Sequence, residues 1–132
     1  MTDAIGANVC ARRVEELFVW RVAVETRQIL IELTSTRPLS RDFDLCDDLR
    51  ETANSIEANI CEGFARFRNR EFANFLRYAR ASTHELLTHA TDAHDRRYIT
   101  DANLRQIAVN CRTLSRALPR LILYLEKNGP PG

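Results

Sequence analysis

The apolar residues of this chain recur at helical spacing, and the clearest run lies in its last third. Between residues 104 and 125 they fall every three or four positions, which places them on one face of a helix. They are Leu104, Ile107, Ala108, Cys111, Leu114, Leu118, Leu121, Ile122 and Leu125. No segment sustains the period of two that a half-buried strand requires. The pattern therefore predicts an all-α chain.

Three further helical segments precede this run. The predicted helices cover about residues 12–33, 44–64 and 70–95, with a fourth beginning after Thr100. Such helices, about 20–27 residues long and joined by short loops, predict an antiparallel up-down-up-down four-helix bundle. At 132 residues the chain is one domain, with a predicted ordered core over 12–127 and a flexible tail at 128–132.

The helix ends are predicted from residues that start or stop helices. Pro38 ends the first helix, because the residue before a proline disfavours helical backbone. The expected caps of the later helices are Ser40 or Asp42 for the second, Asn69 for the third and Thr100 for the fourth. Pro119 is expected to kink the fourth helix or to split it after Leu118, because it removes one backbone donor.

The first helix carries apolar residues on more than one face. Its predicted core stripe is Val14, Leu17, Phe18, Val24 and Leu30. Val19, Trp20 and Val22 are expected to lie beyond that stripe, although Trp20 is close to it. A helix that is apolar on two faces requires a second partner, so we expect oligomers.

Composition bounds the class of protein. Hydrophobic residues make up 45% and charged residues 28% of the chain, which is ordinary for a globular protein. No apolar run is long enough to span a bilayer, and the N-terminus does not resemble a signal peptide. The four cysteines (Cys10, Cys46, Cys61 and Cys111) contain no CxxC pair, so we expect reduced thiols and no metal. A cytoplasmic protein with no membrane contact and no cofactor is predicted.

Charge is distributed in blocks although the formal net charge is only +1. Residues 41–62 contain seven acids and two arginines, whereas residues 63–80 contain five arginines and one acid. Residues 96–132 contain seven bases and two acids. Such blocks suit either a nucleic-acid partner or subunits that dock acidic face to basic face.

One polar stripe stands beside an apolar stripe in the second predicted helix. Ser55, Asn59, Glu62 and Arg66 lie at i, i+4, i+7 and i+11 and therefore share a face. Leu45, Leu49, Ala53, Ile56 and Ile60 form the neighbouring core stripe. We interpret the polar stripe mainly as a hydrogen-bonded network that fixes helix or subunit register, with contact to a ligand or RNA as the alternative.

At these residues the chain resembles the four-helix bundle family encoded within intervening sequences of bacterial large-subunit ribosomal RNA genes. The resemblance covers nearly the whole chain. The matching residues are Val19, Trp20, Ala23, Leu45, Leu49, Arg50, Ser55, Ile56, Ala58, Asn59, Ile60, Glu62, Gly63, Phe64, Arg66, Glu71, Phe72, Phe75, Leu76, Ala79, Arg80, Ser82, Glu85 and Leu86. Two positions depart from the family pattern, because Glu57 replaces its usual proline and Ala81 its usual glycine.

The resemblance implies a homopentameric ring and kinship with the accessory protein of diversity-generating retroelements. That protein is a basic barrel that associates with nucleic acid and a reverse transcriptase. The family has no established enzyme activity. The residues carried over as its structural network are Trp20, Ser55, Asn59, Glu62, Gly63, Arg66, Arg80 and Glu85. Gly63 fits either a cap of the second helix, which we favour, or a close approach of the backbone to its neighbour. Arg80 and Glu85 are expected to join the stripe if the two helices run antiparallel.

Two groups of arginines form the predicted nucleic-acid surface. Arg105, Arg112, Arg116 and Arg120 share one face of the fourth helix over about 22 Å. Arg66, Arg68, Arg70, Arg77 and Arg80 surround the connection between the second and third helices. Phe64 and Phe67 interleave with this second group, either as stacking residues or as core. Repeated around a ring, these arginines would bind phosphates of RNA or DNA with little reading of sequence.

Three other interpretations stay open. In a scaffold without nucleic acid, the arginines would pair with the acidic block of neighbouring subunits. In a helical ribonuclease, Arg77 would hold phosphate while His84 moves a proton. Glu85, His89 and Asp92 share a face that could bind metal, but a solvated polar face is the preferred interpretation.

Overall fold

The computed structural model of the chain describes residues 12–128, and over these residues it is helical, with no strand. Its four α-helices are α1 (Phe18–Thr34), α2 (Phe43–Phe64), α3 (Asn69–Asp95) and α4 (Asp101–Asn128). Short 3₁₀ turns at Val14–Glu16 and Leu39–Arg41 precede α1 and α2. The predicted all-α, four-helix fold is confirmed, while Cys10 and residues 129–132 of the predicted tail lie outside the described residues.

The first helix begins later than predicted. The 3₁₀ turn ends at Glu16, and the extended backbone of Leu17 (φ −72°, ψ 126°) separates the turn from α1. Leu17 is fully buried, so the chain enters the core there before it becomes helical. At the other end, the hydroxyls of Ser35 and Thr36 donate to the carbonyls of Ile31 and Glu32, both at 2.8 Å, which satisfies the last turn.

Two of the predicted caps are confirmed. Asp42 caps α2, because its carboxylate accepts a hydrogen bond from the Leu45 backbone N–H at 3.1 Å. Thr100 caps α4 reciprocally with Asn103, since each side chain accepts from the other residue's backbone N–H at 3.1 Å. The predicted cap of the third helix is wrong: Asn69 is already its first residue, and Arg68 occupies the cap position without a side-chain bond.

Of the two effects predicted for Pro119, the split after Leu118 is wrong. Helix α4 (Asp101–Asn128) runs through Pro119 without interruption, and the kink stays a prediction. Leu118 and Leu121 on either side are 0% and 2% exposed, so core packing holds both halves of the helix in place. This burial outweighs the roughly 3 kcal/mol that a proline costs within a helix.

The core lies between the four helices, and its α2 stripe agrees with the prediction. Leu45, Leu49, Ala53, Ile56 and Ile60 are all buried. The α1 stripe is rotated from its predicted position: Val19 and Ala23 are fully buried, whereas Val24 is half-buried. Trp20 and Val22 pack against the core as well. This apolar face is used within the chain, so it no longer argues for an oligomer.

Each helix packs against its neighbour in the chain, and α1 packs against α4. Polar contacts also join neighbouring helices. Among them are Arg27 with Glu57 (2.6 Å, α1 to α2), Ser55 with Ser82 (2.8 Å, α2 to α3), and Asn110 with Thr26 (3.1 Å, α4 to α1). These bonds add directional contacts to the apolar packing and so help to define how the helices align.

Candidate nucleic-acid interface

The polar stripe of α2 forms hydrogen bonds along its whole length. Asn59 Nδ2 donates to the Ser55 carbonyl at 2.8 Å and to Ser55 Oγ at 3.1 Å. Ser55 Oγ in turn bonds the Ser82 hydroxyl of α3 at 2.8 Å. Arg66 Nη2 donates to Glu62 Oε1 at 2.6 Å. The stripe therefore lies along the edge of α2 that faces α3, as a register-fixing network would.

Arg80 and Glu85 do not join this network. Glu85 is 3.5 Å from His89 on its own helix. Arg80 has no hydrogen bond or ion pair with any residue of 12–128, and it borders a surface hollow with Pro119 of α4. The residues of α3 that meet the stripe are Ser82, which bonds Ser55, and Phe75, whose ring lies under Arg66, whereas Arg80 lies on the edge facing α4.

Gly63 has a different role from the predicted helix cap. It lies inside α2, and its φ is not positive. A Cβ atom built at this position would be 2.7 Å from Phe75 Cβ and 2.9 Å from Phe72 Cδ1. Only glycine therefore permits α2 and α3 to approach this closely, and the two phenylalanines opposite were the sequence signal for it.

Trp20 packs against the core from α1, apart from the polar stripe. Its indole Nε1 is buried and has no hydrogen-bond partner among the described residues. The expectation that Trp20 belongs to the hydrogen-bonded network is therefore not met within 12–128, and its role there is to fill space.

The arginines around the α2–α3 connection differ in their pairing. Arg66 pairs with Glu62 and lies over the Phe75 ring, 5.1 Å from its centroid. Arg77 donates to Asn74 at 2.9 Å and to Glu126 of α4. Three others (Arg68, Arg70 and Arg80) are exposed and form no ion pair with a described residue. This group therefore contains guanidinium groups held by neighbouring side chains and others that form no ion pair with a described residue.

The four arginines of α4 are all exposed and form no ion pair with residues 12–128. Helical spacing places Arg105, Arg112, Arg116 and Arg120 on the face directly opposite the buried stripe of α4. Val109 and Leu123 lie on the same face and are 51% and 53% exposed. The α4 arginine stripe, as we call these four residues, therefore leaves every donor available in the single chain.

The α2–α3 arginine group reaches α4 at one place. Arg77 of α3 bonds Glu126 of α4, and Arg77 and Arg80 border a hollow that also includes Pro119 and Leu123. None of the four α4 arginines borders this hollow, and Arg120 points about 100° around the helix from Pro119. The structure therefore brings Arg77 and Arg80 next to α4, while Arg105 lies about 22 Å from Arg120 along that helix.

Two aromatic side chains on this side are more exposed than core packing would require. Phe67 is wholly exposed at the α2–α3 connection, and Tyr78 is 60% exposed on α3. Phe64 is half-buried and packs edge-to-face on Phe72, with ring centroids 6.0 Å apart. The stacking interpretation of the sequence therefore fits Phe67, and the core interpretation fits Phe64. Sequence reasoning did not single out Tyr78, whose signal was its position next to Arg77.

The residues of the ribonuclease and metal-binding interpretations do not come together within the described part of the chain. The guanidinium of Arg77 is occupied by Asn74 and Glu126, while His84 borders a different hollow. Asp92 bonds Arg96 at 3.0 Å, away from Glu85 and His89. No group of three metal-ligating side chains clusters between residues 12 and 128.

The two buried thiols are poor nucleophiles. Burial raises the pKa of Cys111 to about 12. Burial also raises the pKa of Cys46, whose Sγ lies 3.2 Å from the Leu39 carbonyl. Because the thiolate is the reactive form, neither side chain is suited to nucleophilic chemistry near neutral pH. Within residues 12–128, no helix combines the length and apolar character needed to cross a bilayer.

Comparison with known families identifies the chain. The family described as "23S rRNA-intervening sequence protein" matches residues 15–120. The chain belongs to this family. The match includes α1, α2, α3 and α4 as far as Pro119 and Arg120, so it covers both arginine groups and the polar stripe. The description says where the family is encoded and names no reaction or ligand. No curated protein matches the chain in sequence.

Proposed function

We propose that this family member is a non-enzymatic, cytoplasmic, homo-oligomeric bundle that binds nucleic acid, above all structured RNA, through its arginines. The observation that carries the proposal is the pairing state of the nine predicted arginines. Arg66 and Arg77 form ion pairs, and the other seven form none with residues 12–128. Arginine presents a planar fork of donors that fits phosphate oxygens, and unpaired forks are available for it.

The contacts also support the antiparallel up-down-up-down order. The Cys46 thiol of α2 lies 3.7 Å from the Thr34 carbonyl at the end of α1, and Glu57 pairs with Arg27 farther back along α1. For α3 and α4, a pair close to the connection (His94 with Asp101) and a distant pair (Arg77 with Glu126) show the same progression.

A ring would give a nearly neutral chain an extended basic surface. We infer a homopentamer, in which five copies of each arginine group would form one continuous basic surface. Light scattering should give five times the 15.2 kDa chain mass. A mass of one chain at micromolar concentration would overturn the ring.

A scaffold without nucleic acid is the second candidate, and one observation favours it. Asp44, Asp48 and Glu51 lie at i, i+4 and i+7 on an exposed face of α2 and form no ion pair with residues 12–128. This acidic stripe has the spacing to pair with the α4 arginine stripe of a second copy. In that case Arg116→Glu should reduce the assembled mass, and Asp48→Arg in the same chain should restore it. Besides a second copy of the chain, such a scaffold could bind a reverse transcriptase or another protein.

The decisive experiment measures binding to structured RNA and to duplex DNA at low and at physiological salt. We expect affinity that falls steeply with salt and is lost when Arg112, Arg116 and Arg120 are changed to glutamate in protein that still assembles. The matched control changes Arg21, Arg37 and Arg41 to glutamate, which alters net charge equally outside the predicted surface. Equal losses in both variants would show that only net charge matters.

Two outcomes would contradict the proposal. No binding to either polymer at low salt would leave the scaffold as the function. RNA cleavage that is lost in His84→Ala and kept in Arg116→Ala would show that the protein is an enzyme.

A further inference from the structure

The side chain of Phe67 stands beside a hollow whose lining combines aromatic and basic groups. The hollow has a volume of about 280 Å³ and lies between the α2–α3 connection and the C-terminal part of α4. Its lining includes Phe64, Phe72 and Tyr124 as aromatic side chains, and Arg66 and Arg68 as cations. Exposure of a whole phenylalanine side chain to water is unfavourable, so a partner that covers Phe67 would recover apolar burial.

The two arginines of the hollow have complementary properties. Arg66 is held by Glu62 at 2.6 Å and by the Phe75 face, so its position is fixed before a ligand arrives. Arg68 is exposed and has no ion pair within residues 12–128. One preorganised cation and one adaptable cation next to an exposed ring match a ligand that carries both a flat aromatic group and a phosphate.

We propose that this hollow binds an unpaired nucleotide of single-stranded RNA, with its base stacked on Phe67 and its phosphate bound by Arg66 and Arg68. The inference rests on the proposed function and deepens it, because it distinguishes a stacking site from the phosphate contacts of the α4 arginine stripe. A volume of about 280 Å³ is close to the lower end, roughly 300 Å³, of small-ligand sites and so suits one base. A paired base would already be stacked within its duplex and could not enter.

The chain contains a matched control at the other end of α2. Phe43 is 76% exposed and also borders a hollow, of about 490 Å³. The lining there includes Asp42 and Asp44, which repel phosphate, although Arg41 is present as well. If an exposed phenylalanine were sufficient for binding, the Phe43 and Phe67 sites would be equivalent. If the surrounding charge also matters, only the Phe67 site should bind RNA.

The test uses the full chain and a fluorescent ten-nucleotide single-stranded oligoadenylate that contains one 2-aminopurine, together with a blunt RNA duplex. Wild-type protein should bind the single strand and quench 2-aminopurine, which reports stacking. Phe67→Leu, which keeps apolar volume but loses the ring, should weaken single-strand binding at least about fivefold and abolish the quenching. Phe67→Trp should restore both. Duplex affinity should stay within about twofold of wild type in each variant.

The outcomes separate this inference from the proposed function. The nucleotide site is overturned if Phe67→Leu and Phe43→Leu change single-strand affinity equally. It is also overturned if neither variant changes that affinity while duplex binding persists. In both cases the proposal of nucleic-acid binding stands. If polyglutamate displaces the single strand equally well from wild type and from Phe67→Leu, the hollow recognises charge alone. No binding of wild type to either RNA at low salt would overturn both proposals.

Discussion

The two ends of α2 carry the same kind of side chain in opposite electrostatic surroundings. Phe43 is the first residue of this helix, which is about 33 Å long, and Phe67 lies three residues beyond its other end. Asp42 and Asp44 flank the first, while Arg66 and Arg68 flank the second. We call these regions the Phe43 end and the Phe67 end.

The charged groups at the two ends differ in what they contact. At the Phe43 end, Asp42 caps α2 and bonds Arg96 at 3.2 Å, and His94 bonds Asp101 at 2.5 Å. At the Phe67 end, Arg68 forms no ion pair with a described residue. The difference indicates that polar groups at the Phe43 end hold helices together, whereas the Phe67 end retains charge that an external anion can use.

Charge reversal at the Phe67 end should have the largest effect. Changing Arg68 and Arg70 to glutamate removes two predicted phosphate contacts, which lowers RNA affinity about 100-fold near 50 mM salt and the salt slope by about 2. Competition titrations at several salt concentrations measure both quantities.

The control for this prediction lies at the Phe43 end. Asp44→Arg with Asp48→Arg should leave affinity equal or higher, because those acids repel phosphate. If the exchange at the Phe43 end lowers affinity as strongly as the reversal at the Phe67 end, RNA does not distinguish the two ends.

Helix packing at the Phe67 end should produce the next largest effect, on stability. Gly63→Val places a branched side chain against Phe72 and Phe75, and the overpacking exceeds the helix propensity gained by removing glycine. We expect a net loss of about 2 kcal/mol in the free energy of unfolding, measured by urea titration at fixed protein concentration. Ala58→Val, on the exposed face of the same helix, is the control. If Gly63→Val loses no more stability than Ala58→Val, the contacts of Gly63 with Phe72 and Phe75 do not constrain this position.

The helices could be predicted from the sequence because periodicity and caps are local signals. Asp42 and Thr100 cap as predicted, since a cap depends only on residues two or three positions away. The start of α1 could not be predicted in this way. Burial of Leu17 is a tertiary event, and it outweighs a helical pattern that continues through Arg12 and Arg13.

The candidate site was predictable in its residue types but only in part in its arrangement. Spacing within one helix correctly placed Ser55, Asn59 and Glu62 together, whereas the partner across α3 depends on the rotation of that helix. Arg80 and Ser82 are two positions apart, which is about 200° around a helix, so the sequence paired the wrong residue with the stripe. For Gly63 the favoured cap was wrong for the same reason, because its constraint is the close approach of α3.

Polar contacts at the Phe43 end should contribute a smaller stability effect than Gly63. Asp42→Ala removes both the α2 cap and the ion pair with Arg96, and we expect a loss of about 1 kcal/mol, measured by urea titration. Asp42→Asn keeps a capping oxygen and should lose less. Asp48→Asn, an exposed residue with no ion pair in the described part of the chain, is the control. A loss in Asp48→Asn equal to that in Asp42→Ala would show that the cap and the Arg96 ion pair contribute no more than the removal of one negative charge.

The smallest effect should be a pH dependence at the same end. The hydrogen bond to Asp101 raises the pKa of His94, and the same bond lowers the pKa of Asp101. The stabilisation by His94 is therefore complete below its unfolded pKa of about 6.5 and is lost as pH rises through the raised folded value. On the acid side, the contribution of Asp101 is complete above its unfolded pKa of about 3.9 and is lost as pH falls through the lowered one.

This linkage defines the window in which the His94 contact should be measurable. The difference in Tm between wild type and His94→Gln should be largest between about pH 4 and 6.5 and should shrink as pH rises above it. Thermal unfolding at pH 5.5 and 8.5 tests this, with His84→Gln, an exposed histidine farther back on α3, as the control. A His94→Gln difference that is the same at both pH values would mean that His94 stabilises by packing. The Phe43 end would then owe its stability to Asp42 and Thr100 alone, and the contrast with the Phe67 end would rest on caps rather than on charge.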